Sequence, residues 1–598
     1  MEYNKPNAPF RGIYGNRVTG MKKLLTNLKA YKKEAILAPL FKLLEASFEL
    51  FVPLVVASII DRGIGEGDRG YVVNMTLVLV ALGLVGLACA VTAQYFAAKA
   101  SVGFAGGLRR SLFGKIQTFS YAQLDKIGVN TLINRMTGDV NQVQSALNLT
   151  LRLFLRSPVV VFGAMIMAFT IDLSAALIFV VTIPLLSVVV FGIMLIFIPL
   201  YRKVQEKLDR VLGITRENLT GVRVIRAFCK EEDEVEEFDR RNADLNKMQR
   251  RVGMISALMN PLTLVIVNLA IIALIHTGAD LVNNNTLTQG EVVALYNYMS
   301  QILIELVKLA NLIITMTRGF AGLSRIGKVL EADSAPAPIH GEREDTDYAV
   351  ELREVSLAYP GGGDEALTHI SLAVQKGETV GIIGGTGSGK SSLVNLLPRF
   401  YDCTGGTVLV DGLDVKAWDT AALRKKIAVV PQKAQLFAGT IRENLRFGAP
   451  DADDETLRDA LRAAQALDII EKKGGLDAIV EQNGRNLSGG QRQRLTIARA
   501  LATKPEILIL DDSASALDYA TDAALRSAIR ELPDAPTVFI VSQRTASLRH
   551  ADQILVLEDG EAVAIGRHEE LLETCPVYGE IHYAQYPRDP NRNAKEVG

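Results

Sequence analysis

Cysteine is scarce in this chain, and its spacing excludes two kinds of stabilised fold. The 598 residues contain four cysteines, which lie far apart and form no CxxC pair: Cys89, Cys229, Cys403 and Cys575. A disulfide-rich secreted domain and a zinc site of ordinary spacing both need clustered cysteines. We therefore expect free, unreactive thiols in a reducing compartment.

An excess of charge of one sign is also missing. Lysine plus arginine total 65 and aspartate plus glutamate total 66, which gives a formal net charge of −1. This balance argues against nucleic acid as a partner, because proteins that wrap nucleic acid usually carry a large basic excess. Hydrophobic residues make up 49% of the chain, a composition too apolar for a disordered protein. The mean hydropathy of +0.20 is high for a soluble protein.

The hydrophobicity lies in the first half, where six apolar segments precede residue 320. Three strong segments, at residues 71–98, 173–201 and 252–279, are each about 28 residues long and lack Asp, Glu, Lys and Arg. A helix needs about 20 residues to span the hydrocarbon of a bilayer. Three weaker segments complete the set, at residues 35–60, 157–171 and 292–317. The sequence therefore predicts a membrane α-helical bundle of six transmembrane helices with long cytoplasmic extensions.

The connections between these segments differ in charge, which predicts the side of the membrane on which each lies. The three short connections contain only Arg62 and Arg69 as cations, whereas the two long ones, residues 99–155 and 202–251, are rich in Lys and Arg. By the positive-inside rule, both long loops and both termini are cytoplasmic, and the lipid bilayer is the cytoplasmic membrane. Residues 21–28 lack a signal-peptide cleavage site and are predicted to form an interfacial amphipathic helix.

Both long loops have the apolar spacing of helices, and each contains one glycine break. At residues 126–129, and again at Thr220 and Gly221, we expect a turn that holds a short crosswise helix. A plain solvated helical hairpin is the alternative.

The composition changes near residue 332, where alternating Ala and Pro followed by a polar stretch predict a linker. Beyond it, short apolar runs alternate with helical stretches, a pattern typical of an α/β fold with a mainly parallel sheet. The predicted strands are residues 379–383, 427–430, 507–510, 537–541 and 553–557.

A phosphate-binding motif follows the first predicted strand. Residues 384–391 read GGTGSGKS, which fits GxxxxGK[ST] at every fixed position and lies between a strand and a helix. We expect Lys390 on the β- and γ-phosphates of ATP, Ser391 on Mg²⁺, and Asp511 as a second magnesium contact. The candidate nucleotide-binding residues of this run are Gly384, Gly385, Thr386, Gly387, Ser388, Gly389, Lys390, Ser391 and Ser392.

These features divide the chain into five predicted parts. They are a cytoplasmic N-terminus (1–32), a six-helix transmembrane domain (33–325), a linker (326–348), an α/β P-loop nucleotide-binding domain (349–585) and a polar C-terminal tail (586–598).

Residues 487–491 read LSGGQ, and with this run a resemblance to a known family becomes specific. Over residues 15–585 the chain resembles a half-transporter of the ATP-binding cassette (ABC) exporter family, in which six membrane helices precede one cassette. The resemblance implies that ATP hydrolysis is coupled to transport, with ATP and Mg²⁺ bound. It also implies that the signature caps the γ-phosphate held by a partner cassette. The signature residues are Leu487, Ser488, Gly489, Gly490 and Gln491.

Further roles follow from the same resemblance. Tyr359 is expected to stack on adenine, with an ordinary core tyrosine as the alternative. Gln432 is expected to sense Mg²⁺ and the attacking water, and Asp518 to face the partner cassette. The breaks at residues 126–129 and 220–222 would be coupling helices that rest in grooves of the cassettes.

Two positions depart from the family's pattern. Asp512 stands where the family usually has Glu, so its carboxylate falls about 1.5 Å short. Gln543 stands where the family usually has His, and an amide cannot carry a proton or a positive charge. We therefore predict a degenerate site that binds ATP but hydrolyses it slowly, in a heterodimer whose other half-transporter supplies Glu and His, as in similar bacterial multidrug exporters. A competent site in a homodimeric exporter is the alternative.

The predicted cargo is an amphipathic or hydrophobic drug, lipid or peptide, because the spans carry many aliphatic residues and few charges. The charged exceptions either line the cargo path or belong to solvated helix extensions, and Glu305 and Lys308 are spaced to pair across one turn. These exceptions are Lys42, Glu45, Glu49, Glu305 and Lys308. A membrane ATPase that regulates a partner without transport, and an ATP-coupled importer, are the rival interpretations.

Overall fold

The computed structural model describes residues 28–334, 336–359 and 363–586. The predicted amphipathic helix, except for residue 28, and the predicted C-terminal tail, except for residue 586, lie outside the described residues. Residues up to Thr118 together with Val129–Ala332 form one compact unit, and Phe119–Gly128 together with the residues from Asp333 onward form the other.

The first unit contains helices and connecting turns and no strand among its described residues. Six of its helices are long and apolar enough to cross a membrane, which confirms the prediction of a six-helix bundle. They are Lys32–Ile64, Arg69–Ile116, Val129–Ile171, Leu173–Ala227, Glu231–Asn283 and Gln289–Glu331. The first ends in the π-helical turn Ile59–Ile64, and the third contains the π-helical turn Arg135–Asp139 and a break between Leu153 and Arg156.

One of the two predicted glycine breaks is confirmed and the other is wrong. Gly128 has a φ of 79° and ends the helix Tyr121–Ile127. The helix Leu173–Ala227 instead runs through Thr220 and Gly221 without interruption. An exposed glycine in a helix costs only about 1 kcal/mol relative to alanine, too little to break a long helix. The chain turns at residues 228–230, where Cys229 adopts a φ of 52°.

A buried ion-pair network joins the first, third and sixth spans. Arg156 donates to Glu305 and, at 2.6 Å, to Glu49, while Ser157 donates to Glu305 at 2.8 Å. Lys308 lies 2.8 Å from Glu305, which confirms the predicted pairing across one turn. Charges inside a membrane bundle are tolerated when they pair in this way. Whether any of them contacts cargo stays a prediction.

The second unit contains twelve strands in three sheets among the described residues. A six-stranded sheet has the order β12-β11-β3-β10-β9-β6, a four-stranded sheet the order β2-β1-β4-β5, and β7 pairs with β8. The strands are β1 Tyr348–Leu357, β2 Leu367–Gln375, β3 Thr379–Gly384, β4 Gly405–Val410, β5 Leu413–Asp414, β6 Ile427–Val430, β7 Gly439–Thr440, β8 Ile479–Val480, β9 Ile507–Asp511, β10 Thr537–Val541, β11 Gln553–Glu558 and β12 Glu561–Gly566.

The six-stranded sheet is parallel except at β12, as the sequence predicts. All residues of β3, β9 and β10 are buried, because apolar clusters cover both faces of this sheet. The α-helices of the second unit are Tyr121–Ile127, Lys390–Val394, Thr420–Lys426, Ile441–Arg446, Asp454–Ala463, Leu467–Glu471, Gly489–Leu501, Tyr519–Arg530, Thr545–Leu548, His568–Thr574 and Pro576–Gln585. The four cysteines are free, as expected.

The network around Arg156 generates a stability prediction. Glu305→Leu leaves the Arg156 guanidinium buried with only the half-exposed Glu49 as a partner, and we expect a loss of about 3 kcal/mol in the free energy of unfolding. Denaturant titration in detergent micelles measures the loss. Adding Arg156→Met removes the uncompensated charge and should recover most of it.

A matched control is Glu236→Leu, which replaces an exposed glutamate of the fifth span's helix. This change should alter the free energy of unfolding by less than about 0.5 kcal/mol. Equal losses for the two leucine variants would contradict the assignment of a stabilising network.

Candidate nucleotide-binding site

Three distant parts of the sequence meet where neighbouring parallel strands end. The P-loop follows β3, Asp512 follows β9, and Gln543 comes two residues after the end of β10. β10 pairs with both β3 and β9, so Val541 lies beside Ile382 on one side and Asp511 on the other. Ligands of open α/β sheets bind at the carboxyl ends of the strands.

The P-loop backbone needs glycine at two positions. Gly387 and Gly389 have φ values of 88° and 92°, a left-handed conformation that other residues rarely adopt. A Cβ on Gly389 would also lie 2.6 Å from the carbonyl oxygen of Ala366. The loop can therefore curl tightly and turn backbone N–H groups toward an anion.

Lys390 lies against its own loop. Its ammonium donates to the carbonyl oxygens of Gly384 at 3.0 Å and Gly385 at 2.5 Å, and contacts Ser388 Oγ at 3.2 Å. Burial lowers the pKa of Lys390, and the nearby carboxylate of Asp512 acts in the opposite direction. Phosphate oxygens are stronger acceptors than neutral carbonyls, so a triphosphate in the loop would attract this ammonium.

Two oxygen donors suited to magnesium already touch. Ser391 Oγ donates to Asp511 Oδ1 at 2.9 Å. Burial raises the pKa of Asp511, the hydrogen bond from Ser391 lowers it, and the charge of Asp512 raises it further. Mg²⁺ prefers oxygen ligands from hydroxyl, carboxylate and phosphate groups, so this pair fits a magnesium ion bound with ATP.

The structure brings Gln432 and Asp512 together. Gln432 Nε2 donates to Asp512 Oδ2 at 3.0 Å. Asp512 has a φ of 45°, a left-handed conformation in which aspartate is enriched among residues other than glycine. The side chain of Gln543 is exposed at the neighbouring strand end.

Tyr359 lies beside the P-loop helix. Its hydroxyl donates to Ser392 Oγ at 2.9 Å, and its half-buried ring meets Tyr401 edge-on at 5.1 Å. Tyr401 in turn donates to Asp125 at 2.6 Å, on the short helix Tyr121–Ile127. We did not predict Tyr401 from the sequence, although the adjacent aromatics at residues 400 and 401 were a signal in a chain with 6% aromatic residues.

The signature run begins the helix Gly489–Leu501 with a capping box. Ser488 Oγ accepts from the backbone N–H of Gln491 at 3.3 Å, and the Gln491 side chain accepts from the N–H of Ser488 at 3.1 Å. Ser488 and Gly489 are exposed, so this helix N-terminus is open to an approaching anion.

Asp518 begins the next helix, Tyr519–Arg530. Its carboxylate accepts from the backbone N–H of Thr521 at 2.9 Å and from the Thr521 hydroxyl at 2.8 Å. These hydrogen bonds lower the pKa of Asp518. The loop before this helix approaches the signature, since a Cβ on Gly490 would lie 3.1 Å from the carbonyl oxygen of Ala516.

Comparison with known proteins identifies the family. One family model, the ABC transporter transmembrane region, matches residues 35–306, and a second, ABC transporter, matches residues 367–515. An uncharacterized ABC transporter ATP-binding protein of Bacillus subtilis, YfiB, is 36% identical over 95% of this chain and 99% of its own length. The chain belongs to the ABC transporter family.

Other relatives place this ABC transporter among the exporters. An uncharacterized ABC transporter ATP-binding protein of Mycobacterium tuberculosis is 35% identical over 94% of this chain and 97% of its own length. The ATP-dependent lipid A-core flippase of Escherichia coli is 30% identical over the same shares of the two chains. A solved bacterial Atm1-family ABC exporter with ATP bound has the same fold, with a TM-score of 0.77 over 94% of this chain and 99% of that one, at 22% identity.

This ABC transporter is therefore a half-transporter of the exporter type. It is a multi-pass membrane protein with six spanning helices in its described part, and its cassette binds ATP and couples hydrolysis to export.

The position of Lys390 generates a binding prediction. Lys390→Ala removes the ammonium that faces the P-loop, and losing one charge-assisted contact to phosphate should weaken ATP binding about 10- to 100-fold. Equilibrium titration with a fluorescent ATP analogue measures the change. Lys472→Ala, at an exposed lysine of the same cassette, is the control and should leave affinity unchanged. Unaltered binding in Lys390→Ala would contradict the proposed site.

Proposed function

We propose that this half-transporter is one subunit of a heterodimeric exporter in the cytoplasmic membrane, with both termini in the cytoplasm. In this proposal its own site binds ATP with Mg²⁺ but hydrolyses ATP slowly. Its signature completes a competent site on the partner. The observation that carries the proposal is the pair of substitutions, Asp512 and Gln543, at adjoining strand ends.

The remaining site residues take the roles that their contacts support. We assign Lys390 to the β- and γ-phosphates, and Ser391 with Asp511 to Mg²⁺, which would neutralise phosphate charge when bound. Tyr359 is assigned to the adenine ring, because its half-buried ring lies beside the P-loop helix. Gln432 is assigned to the attacking water.

Asp512 supports slow hydrolysis through its reach. Its backbone N–H donates to the carbonyl oxygen of Val541 at 3.0 Å, which fixes the Cα beside β10. From this anchored position a glutamate carboxylate would extend about 1.5 Å farther toward the phosphates. A base that cannot reach its water loses much of the 10²- to 10⁴-fold that general-base catalysis supplies.

Gln543 supports the same conclusion through its chemistry. The amide can donate to a phosphate oxygen and accept from a water molecule, but it does not titrate near neutral pH. A histidine at this position can hold a positive charge beside the developing negative charge of the γ-phosphate. Because both substitutions affect the attacking water and the γ-phosphate, we favour impaired hydrolysis over neutral drift in a competent site.

The intact signature supports a partner of different sequence. Its capping box fixes the start of a 13-residue helix whose Ser488 and Gly489 are exposed, and a helix N-terminus at the surface is suited to a phosphate held by another cassette. An intact signature can support ATP hydrolysis only if the opposing cassette has the glutamate and histidine that this chain lacks. We therefore propose a second half-transporter as the partner.

Contacts of the short helix Tyr121–Ile127 support a role in coupling. The Tyr121 ring stacks on Phe400 with centroids 4.4 Å apart, and Asp125 accepts a hydrogen bond from Tyr401. Both aromatic residues belong to the cassette and come six and seven residues after the end of the P-loop helix. For the second coupling element we propose the turn at residues 228–230 in place of residues 220–222.

We propose an amphipathic or hydrophobic cargo, with a lipid as the first class to test. The flippase relative named above, which acts on lipid A-core, supports a lipid. Apolar side chains that remain exposed along the spans also suit contact with acyl chains. A homodimeric exporter with a competent site is the second candidate, favoured by the contact between Gln432 and the carboxylate of Asp512.

A variant that restores both family residues tests the proposal. The purified chain, reconstituted alone in lipid nanodiscs, should hydrolyse ATP at a rate well below about 10 s⁻¹, the median turnover number of enzymes. The double variant Asp512→Glu with Gln543→His should raise this rate at least tenfold, because base reach and a chargeable group return together. Phosphate release measures both rates.

The matched control makes the same residue changes elsewhere in the cassette, Asp534→Glu with Gln553→His. Asp534 is exposed, and Gln553 lies at the start of β11, away from the phosphate motifs along the chain. The control should leave the rate unchanged. Ordinary turnover by the unmodified chain alone would support the homodimeric candidate.

A further inference from the structure

The last described helix, Pro576–Gln585, contacts the segment that carries Gln543. Gln585 Nε2 donates to the backbone carbonyl of Gln543 at 2.7 Å. The same side chain accepts from the backbone N–H of Thr545 at 3.2 Å through its Oε1. One amide thus satisfies a carbonyl and an N–H on either side of residue 544, and it uses both halves of its hydrogen-bonding capacity.

This helix is itself fixed firmly in the cassette. Tyr578 is fully buried, and its hydroxyl lies 2.6 Å from His568 Nδ1. His582 Nδ1 lies 2.9 Å from Thr545 Oγ1, which adds a second contact to the segment that carries Gln543. Gln585, at the exposed end of this helix, therefore reaches the segment from a helix that Tyr578 anchors in the core.

Arg544, in the same segment, is hydrogen-bonded to the loop before Asp518. The Arg544 guanidinium donates to the carbonyl oxygens of Ser515 at 3.2 Å and Leu517 at 3.3 Å. It also lies over the Tyr519 ring, 5.2 Å from the centroid. Residues 543–545 are therefore held between the last helix and a loop that we expect to face the partner cassette.

The side chain of Gln543 depends on this arrangement for its direction. Before it, Ser542 is fixed to β3 by its N–H, which donates to Ile382 at 3.1 Å. After it, no strand ladder continues, and the described backbone contact of Gln543 is the one made by Gln585. Without this hydrogen bond the peptide that follows Gln543 could turn and change the direction of the side chain, and a misplacement of about 1 Å can slow a reaction about 100-fold.

We propose that Gln585 is a positioning residue for ATP hydrolysis in this cassette. It holds the peptide of Gln543 so that the side chain points at the γ-phosphate, and it connects the last helix through Arg544 to the loop near the signature. The inference rests on the proposed function in one respect, that Gln543 acts on ATP bound at Lys390.

The test is a double-mutant cycle on the full-length chain in lipid nanodiscs. Gln585→Met keeps the length of the side chain and removes both hydrogen bonds. Single-turnover hydrolysis of radiolabelled ATP, which resolves a slow site, should become about tenfold slower, while the Kd for ATP changes less than twofold. Gln553→Met is the matched control, since its amide donates to the Ala373 carbonyl at 2.9 Å, and it should change neither value.

The cycle separates positioning from general damage. In a Gln543→Ala background, Gln585→Met should slow hydrolysis by less than twofold, because a residue that acts through Gln543 has no effect once that side chain is absent. A tenfold loss in both backgrounds, or a weakened Kd, would overturn the inference. If Gln585→Met does not fold, Gln585→Asn, whose shorter amide cannot span both partners, takes its place in the cycle with the same expectations.

The Gln543→Ala variant also distinguishes the two proposals. If Gln543→Ala alone leaves single-turnover hydrolysis unchanged, Gln543 does not act on ATP and the inference fails, whereas the proposed slow hydrolysis, which is tested by Asp512→Glu with Gln543→His, is unaffected. If Gln543→Ala slows hydrolysis and Gln585→Met does not, the inference alone fails.

Discussion

Burial of the central parallel strands is the constraint on which the candidate site depends. β3, β9 and β10 are covered on both faces, so a shift in their register would break paired backbone groups inside the core. The positions where they end are therefore fixed, and so is the Cα position of Asp512, which follows β9 directly. Because the backbone at these strand ends cannot move, the length of a side chain decides how near its functional group comes to a bound phosphate. One missing methylene therefore affects the chemistry.

Both units satisfy buried charge with partners that are remote in sequence. Ser391 and Asp511 are 120 residues apart, and Arg156 and Glu305 are 149 apart. In each case the contact depends on the packing of the backbone elements, because the two side chains are close enough to interact only when their helices or strands are packed together. Neither contact can form in an isolated segment, and each therefore forms only when its unit is folded.

The features that could be predicted from the sequence are those with a local sequence pattern, and the features that were missed depend on residues distant in the chain. The strands 427–430 and 537–541 were predicted to the residue, because short apolar runs between turns are a local pattern. The break at Gly221 was wrong because glycine is only a weak helix breaker when neighbouring turns are intact. Gln585 was not predicted at all, since its partners lie 40 and 42 residues away and its own surroundings read as an ordinary helix end.

The P-loop site and the signature helix, the two parts of the composite ATP site that we propose, are built independently within this chain. The signature helix is capped by its own Ser488 and Gln491, three residues apart, and needs nothing from β9 or β10. Asp512 and Gln543 instead follow the ends of β9 and β10. A chain with this construction can lose hydrolysis in its own pocket while the surface that it offers to a partner keeps its shape. Division of labour between two half-transporters therefore requires no change in the fold, only changes at two strand ends.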